Sequence, residues 1–341
     1  MTVGMRPGFR VGVVGCGLIG HKRVEALGDV DSVVATYDVD TDAARRLAEA
    51  SGARGCRSID ELLGQEPHVV VVAVTHEALA ETACAALEAG CHVLVEKPAG
   101  IGVEQVERVV RAAEAADRRV KVGFNHRFHP GIARAATEAR SGEQGDVLYV
   151  RARYGHGGRP GYDREWRADP ARSGGGEIVD QGMHLLDLSR WVLGELPLHS
   201  ALLRTQFWDA PVDDNAVLVL GGPGGVGDRS PWALLHVSWT EWKNLFSLEI
   251  TCERAKWEVE GLVRSYGSQV LRIHRMRPEL GPPDTEEVRY PGNDRSFEAE
   301  WEHFAAALAA GDGRELWGDL GSALYAWRCV EAAQRSAALR G

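Results

Sequence analysis

The chain has no tryptophan before Trp166, no cysteines at CxxC spacing, no long apolar run and no excess of positive charge. Each shortage closes off a class of function. A bilayer-spanning helix needs roughly 20 consecutive apolar residues, and no stretch approaches that. The opening Met1 to Arg10 lacks both the apolar stretch and the small-residue cleavage site of a secretory signal, so a cytoplasmic protein with no membrane partner is expected. The 6 cysteines (Cys16, Cys56, Cys84, Cys91, Cys252 and Cys329) are scattered and share no ligand spacing with histidine. They read as small buried hydrophobes in a reducing compartment, without a disulfide frame or a metal site. A formal net charge of −10 has the wrong sign for nucleic acid, whose phosphates call for a basic surface. It is compatible with a cationic ligand, although net acidity mostly serves solubility.

What the chain does contain is enough apolar residue, 44% of 341, for about two domains with sizeable cores. Its first third alternates strand-like and helix-like runs. Strands are expected at Arg10 to Val14, Val33 to Tyr37, His68 to Val74, Cys91 to Val95 and Val120 to Phe124. Helices are expected up to Leu27, then at Thr41 to Ala50, Glu77 to Ala89 and Val103 to Ala116. The valine run at 69–72 is the pattern of a strand covered on both faces, and the alternation predicts a doubly wound parallel sheet. After Asn125 the pattern changes. A helix at Pro130 to Arg140 precedes alternating runs at Val147 to Tyr154, Ala216 to Leu220, Trp232 to Trp239, Phe246 to Cys252 and Ala255 to Val259. These predict a large, mainly antiparallel open sheet, and helices at Phe297 to Ala310 and Leu320 to Leu339 close the chain. The expected architecture is α/β: a Rossmann domain at 1–124 and an α+β domain at 125–341. All 10 tryptophans fall in the second part, which points to two units with different tasks.

Gly15-Cys16-Gly17-Leu18-Ile19-Gly20 fits GxGxxG between a strand and a helix. There the first glycine makes the tight turn, the second admits the pyrophosphate and the third lets helix and strand pack closely. The helix N-terminus offers N–H groups to the phosphates. Asp38 ends the second strand, where an acid hydrogen-bonds the adenine ribose and repels a 2′-phosphate. The expected cofactor is NAD, with Asp40 close enough to compete for the ribose role.

Glu96-Lys97-Pro98 follows the strand expected at Cys91 to Val95. Gly123-Phe124-Asn125-His126-Arg127-Phe128 and Gly174-Gly175-Gly176-Glu177-Ile178-Val179-Asp180-Gln181-Gly182-Met183-His184 come later. In this order, with the glycine fingerprint, they resemble the glucose–fructose oxidoreductase and inositol dehydrogenase (Gfo/Idh/MocA) family over nearly the whole chain. The resemblance implies an open C-terminal sheet with one face lining the active site and the other serving oligomerisation, as a homodimer or homotetramer. It also implies a cis Lys97–Pro98 bond, with Lys97 near the nicotinamide and the reacting hydroxyl. One departure is visible: where many members carry Thr-Pro, Thr75 is followed by His76, which leaves the cofactor contacts of this loop open.

Oxidising a carbinol requires a base for the hydroxyl proton, and histidine suits that near neutral pH. His184 is the expected acid/base, with Asp180, four residues earlier and on the same face of a helix, orienting it or the substrate. These matching positions form the family's catalytic group together with Lys97. The expected cofactor contacts are Gly15, Gly17, Leu18, Ile19, Gly20, Asp38, Thr75, Glu96, Lys97 and Asn125. Substrate contacts are expected from Arg127, Tyr154, His156, Trp166, Asp180 and His184, in part because aromatic rings stack on sugar faces. His126 and His129 read as structural or rim residues, and Asp187 as structural or at the substrate edge. The resulting expectation is an NAD-dependent dehydrogenase of a sugar, aminosugar or cyclitol ring carbinol. Two other readings stand beside it: a hydrolase or epimerase that recycles bound NAD, and a non-enzymatic NAD sensor.

Overall fold

A computed structural model describes residues 6–279, 281–311 and 315–339. The first strands and helices, in chain order, are β1 (Arg10–Val14), α1 (Leu18–Glu25), β2 (Ser32–Tyr37), α2 (Thr41–Ser51), β3 (Arg54–Gly55), α3 (Ile59–Leu63), β4 (Val69–Val72), α4 (His76–Glu88), β5 (His92–Val95), α5 (Val103–Ala116) and β6 (Val120–Val122). The strands pair in parallel in the order β3-β2-β1-β4-β5-β6. The order reverses between β1 and β4, the switch point beyond which such sheets hold ligands. Val69, Val70, Val71 and Val72 are all buried, as a strand covered on both faces requires.

The chain continues with α6 (Pro130–Arg140), β7 (Val147–Gly155), α7 (Pro170–Ser173), α8 (Glu177–Asp180), α9 (Gly182–Leu193), β8 (Leu198–Arg204), β9 (Asn215–Leu220), β10 (Trp232–Ser238), β11 (Leu245–Cys252), β12 (Ala255–Glu260), β13 (Gln269–Arg275), β14 (Asp284–Tyr290), α10 (Ser296–Ala309) and α11 (Leu320–Ala338). Its eight strands run in the order β14-β13-β12-β11-β7-β10-β9-β8. β7 and β10 are parallel and the other pairs antiparallel. Alternate residues such as Phe246, Leu248 and Ile250 are buried, on the face that α6 and α9 cover. Three strands of this sheet, β8, β13 and β14, were not foreseen, nor was the short β3 of the first.

The expected domain boundary needs a correction. The chain divides into one unit of Met1–Asn125 with Arg295–Leu324 and another of His126–Asp294 with Tyr325–Gly341. Helix α10, expected with the second domain, belongs to the first because its apolar face completes that core. Trp301, Phe304 and Ala305 pack among Val11, Val13, Leu47, Val69, Val71 and Leu94, and the Trp301 indole N–H donates to Asp31 at 2.7 Å. Trp301 and Trp317 therefore sit in the unit expected to hold no tryptophan. The six cysteines are free and buried. Among the described residues, no helix is long and apolar enough to cross a membrane.

Candidate active site

In the first unit β1 gives way to a turn at Gly15, where φ is +93° and a Cβ would lie 2.3 Å from the Ala73 carbonyl oxygen; only glycine is accommodated. A Cβ on Gly20, in the first turn of α1, would lie 2.1 Å from the Gly15 carbonyl oxygen. Gly17 is of another kind, since a Cβ there would meet nothing within 4 Å. It caps α1 without a side-chain hydrogen bond, and Leu18 beside it is 74% exposed. An accessible helix N-terminus, with N–H donors and partial positive charge, fits a pyrophosphate.

Asp38 stands half-buried just past β2. It accepts the Cys16 N–H at 2.6 Å on one oxygen and the Asp40 N–H at 2.8 Å on the other, so it also shapes the glycine turn. Asp40 is occupied as the cap of α2, accepting from the N–H groups of Asp42 and Ala43. Thr41 lies in the helix's first turn. Burial pushes the Cys16 thiol up to about 12, with Asp38 adding to the effect, which keeps this cysteine inert.

Thr75 occupies the cap position of α4 with no side-chain bond. Glu96 receives Arg23 Nε at 2.6 Å, and Arg23 continues to Glu300 at 2.6 Å. Lys97 follows, half-buried, and its bond to Pro98 is cis. Asn125, buried, donates to Ser296 Oγ at 2.8 Å.

In the second unit the glycine run does something other than what its composition suggests. A Cβ on Gly176 would fall 1.9 Å from the Asp213 carbonyl oxygen, so this glycine makes room for the unit's own backbone. The Asp213 carboxylate accepts the N–H groups of Gly176 at 3.2 Å and Ile178 at 2.8 Å, fixing the start of α8. The helix expected to carry both Asp180 and His184 is broken at Gln181 into α8 and α9, and the two residues have different neighbours.

His184 is 6% exposed and its ring stacks on His126, with centroids 3.8 Å apart and planes 25° from parallel. Tyr154, expected at the substrate, lies 5.1 Å from the His126 ring and 6.2 Å from that of His184. Burial holds the Tyr154 phenol well above its usual range, protonated. Tyr266 lies 5.4 Å further on and accepts Gln181 Nε2 at 3.3 Å.

Asp180 instead meets Arg167 Nε at 3.4 Å and clusters with His156 and Glu177. His156 was expected at the substrate; Glu177, Arg167 and Tyr266 were not. Glu177 lies within the quoted glycine-to-histidine segment and Arg167 next to Trp166, but nothing in residue spacing marks them. His126, expected to be a structural or rim residue, supplies the ring against His184. The Arg127 guanidinium, expected at the substrate, forms a two-pronged, buried pair with Asp187 at 2.6 and 2.8 Å, 5.1 Å from the Trp191 ring. Trp166 is half-buried with Arg167 4.7 Å from its ring. Trp208 and Trp239 pack with Tyr162, Ala168 and Val212 in an apolar cluster.

Known proteins agree with this architecture. Residues 9–124 match the oxidoreductase family with NAD-binding Rossmann fold, and 132–258 match the GFO/IDH/MocA C-terminal domain. Inositol 2-dehydrogenase 2 of Saccharopolyspora erythraea is 34% identical over 64% of this chain and 64% of its own length, so about a third of that relative is unmatched. Levoglucosan dehydrogenase solved with NADH and levoglucosan superposes with a TM-score of 0.86 at 19% identity, covering 98% of each chain. GenD2 from gentamicin A biosynthesis, solved with NAD, has a TM-score of 0.79 at 25% identity, covering 98% of this chain and 94% of its own. The chain belongs to the GFO/IDH/MocA oxidoreductase family, with that family's NAD-binding Rossmann fold at its N-terminal end.

Proposed function

We propose that the protein is an NAD-dependent dehydrogenase that oxidises or reduces a ring carbinol of a sugar, aminosugar or cyclitol. The observation that carries this reading is the setting of His184. It is a buried imidazole stacked on His126, in a unit whose adjoining side chains (Asp180, Glu177, His156, Tyr154 and Tyr266) present hydrogen-bonding groups of the kind a polyol needs. In the oxidative direction His184 takes the proton of the reacting hydroxyl and later releases it to solvent. The bound nicotinamide would supply the acceptor for the hydride leaving carbon, so that ketone, reduced cofactor and one proton result.

Gly15, Gly17, Leu18, Ile19 and Gly20 would hold the pyrophosphate, and Asp38 the adenine ribose. Thr75 and Asn125 would border the cofactor, and Lys97 would polarise the reacting oxygen. Asp180 would hold a substrate hydroxyl or orient His184, with Tyr154, His156 and Trp166 lining the sugar. Glu96 acts through Arg23. One face of the second unit's sheet, with half-exposed Arg151, Lys256, Glu258 and Arg272, supports assembly as a homodimer or homotetramer, read here as cytoplasmic.

The test is incubation of the purified protein with NAD or NADP against sugars, inositols and aminosugars, following reduced nicotinamide. Net reduction of NAD by one class is expected; product formation without net reduction would favour the recycling alternative. His184→Ala should lower kcat by roughly 10²–10⁴-fold while leaving NADH binding intact. Full activity in that variant would end the role assigned to His184.

A further inference from the structure

A general base works only with a ring nitrogen held within hydrogen-bond reach of the proton it takes. Helix α9 fixes the Cβ of His184 but not its ring, because the second torsion of a histidine side chain is broad and is set by whatever packs against it. Here that neighbour is His126. The two rings stack at 3.8 Å with planes 25° from parallel, and the residues are 5% and 6% exposed. His126 is itself wedged in place. Tyr154 of β7 and Phe246 of β11 lie 5.1 and 5.9 Å from its ring. His129, itself 4.0 Å from Asp294, meets it edge-on at 5.6 Å.

The next residue ties the same two elements together. His126 and Arg127 share one 3₁₀ turn, Asn125–Phe128. His184, Asp187 and Trp191 follow one another at spacings of three and four along α9, and so stand on one side of it. Arg127 donates twice to Asp187, at 2.6 and 2.8 Å, and its guanidinium lies 5.1 Å from the Trp191 ring. Ring on ring and guanidinium on carboxylate are two rungs between the turn and the helix. A two-pronged bond of this kind fixes orientation as well as distance. We propose that His126 is a positioning residue that holds the ring plane of His184, and that the Arg127–Asp187 pair is the clamp that sets the stack. This rests on the role given to His184 in the dehydrogenase reading above. The stack also bears on the charge that forms there. Two imidazolium rings at this separation would repel, so the pair carries at most one positive charge. When His184 takes the proton of the hydroxyl, that charge lies over a neutral aromatic face, which attracts it.

The experiment separates the ring from its nitrogens. His126→Ala removes the stacked ring and should lower kcat by roughly 10–100-fold, as a displaced catalytic group does, with NADH affinity close to the parent's. His126→Phe restores a ring without nitrogens and should recover most of that loss. Placed in a His184→Ala background, His126→Ala should lower the residual rate no further, because a residue that acts through His184 then has nothing to position. Arg127→Lys keeps the charge but gives up the two-pronged bond, and a smaller loss in kcat is expected. Equal losses in His126→Ala and His126→Phe, or a further loss in the His184→Ala background, would overturn the positioning role. A parental kcat in Arg127→Lys would remove the clamp. A second readout needs no turnover: acylation of His184 by diethyl pyrocarbonate with no substrate present, followed by mass spectrometry. His184 should react slowly in the parent and in His126→Phe, and several-fold faster in His126→Ala. That pattern in a protein that turns over no sugar or cyclitol would leave the positioning role standing and refute the dehydrogenase chemistry. Equal labelling in all three would refute the positioning role whatever the kinetics.

Discussion

The two units bury charge under opposite terms. In the first, Arg23 meets Glu96 and Glu300, and Glu300 meets Lys121 at 2.6 Å, with the Lys121 and Glu300 side chains 0% exposed. Two cations answer two anions, and the set is closed within the unit. In the second, Arg167 meets Asp180 at 3.4 Å and Glu165 at 3.5 Å, and Glu177 and His156 lie close to Asp180. Taking ions out of water is costly in both places. The first set belongs to the fold, whereas the second lies among the side chains proposed to take the substrate. Glycines divide in the same way: Gly15 and Gly20 have their missing side-chain volume filled by backbone, and Gly17 faces open space.

Removal of a charge from each set puts the largest strain on this contrast. Glu300→Ala removes the buried anion shared by Arg23 and Lys121 and should cost about 3–5 kcal/mol. In a domain of this size that is a fall in melting temperature of roughly 10 °C. Glu177→Gln keeps the size and hydrogen-bonding shape of the side chain and should lower the melting temperature by less. Calorimetry on both variants decides the matter. If Glu300→Ala melts like the parent, or Glu177→Gln melts far below it, the division of buried charge into fold and function is wrong.

The glycines give a smaller and cleaner version of the same test. Gly20→Ala forces a Cβ against the Gly15 carbonyl and should lower stability by about 1–3 kcal/mol, as overpacking does. Gly17→Ala meets no protein atom within 4 Å. Its expected effect is on NADH affinity, weakened by roughly tenfold as the methyl group enters the phosphate's space, with little change in melting. Equal loss of stability in both variants would remove the distinction between filled and open positions.

Much of the first unit was legible because its signals are local. A valine run, a GxGxxG turn and helices ending at glycine each reflect physics within a dozen residues, and α5 falls on Val103–Ala116 as expected. The return of α10 was not legible, since its membership depends on where Trp301 and Phe304 find a core, which is long-range packing. β13 and β14 escaped because their alternation is filled with charge. Arg272 pairs with Glu260 and Glu287, and Arg275 with Glu286, so the apolar stripe is short in β13, at Leu271 and Ile273, and absent from the edge strand β14, as suits a protected sheet edge. At the candidate site the motifs found His184 and Asp180 but not their company. A period of 3.6 put both on one helix face, whereas the break at Gln181 sends one toward His126 and the other toward His156 and Glu177.

Asp38 is where the division between fold and function is least sharp, and it carries the smallest prediction. One of its oxygens holds the Cys16 N–H and the other the Asp40 N–H, a use internal to the fold. Yet it stands half-buried at the end of β2, where a carboxylate selects an unphosphorylated ribose. Asp38→Asn keeps the shape but turns an amide N–H₂ toward one of those two donors, which should cost about 1 kcal/mol of stability. It also removes the charge that repels a 2′-phosphate, so the preference for NAD over NADP in kcat/KM should fall by about tenfold. The two readouts are independent. A lower melting temperature with an unchanged cofactor ratio would assign Asp38 wholly to the glycine turn, alongside Gly15 and Gly20. A changed ratio at constant stability would place it with Gly17, among the groups that the chain leaves for its ligand.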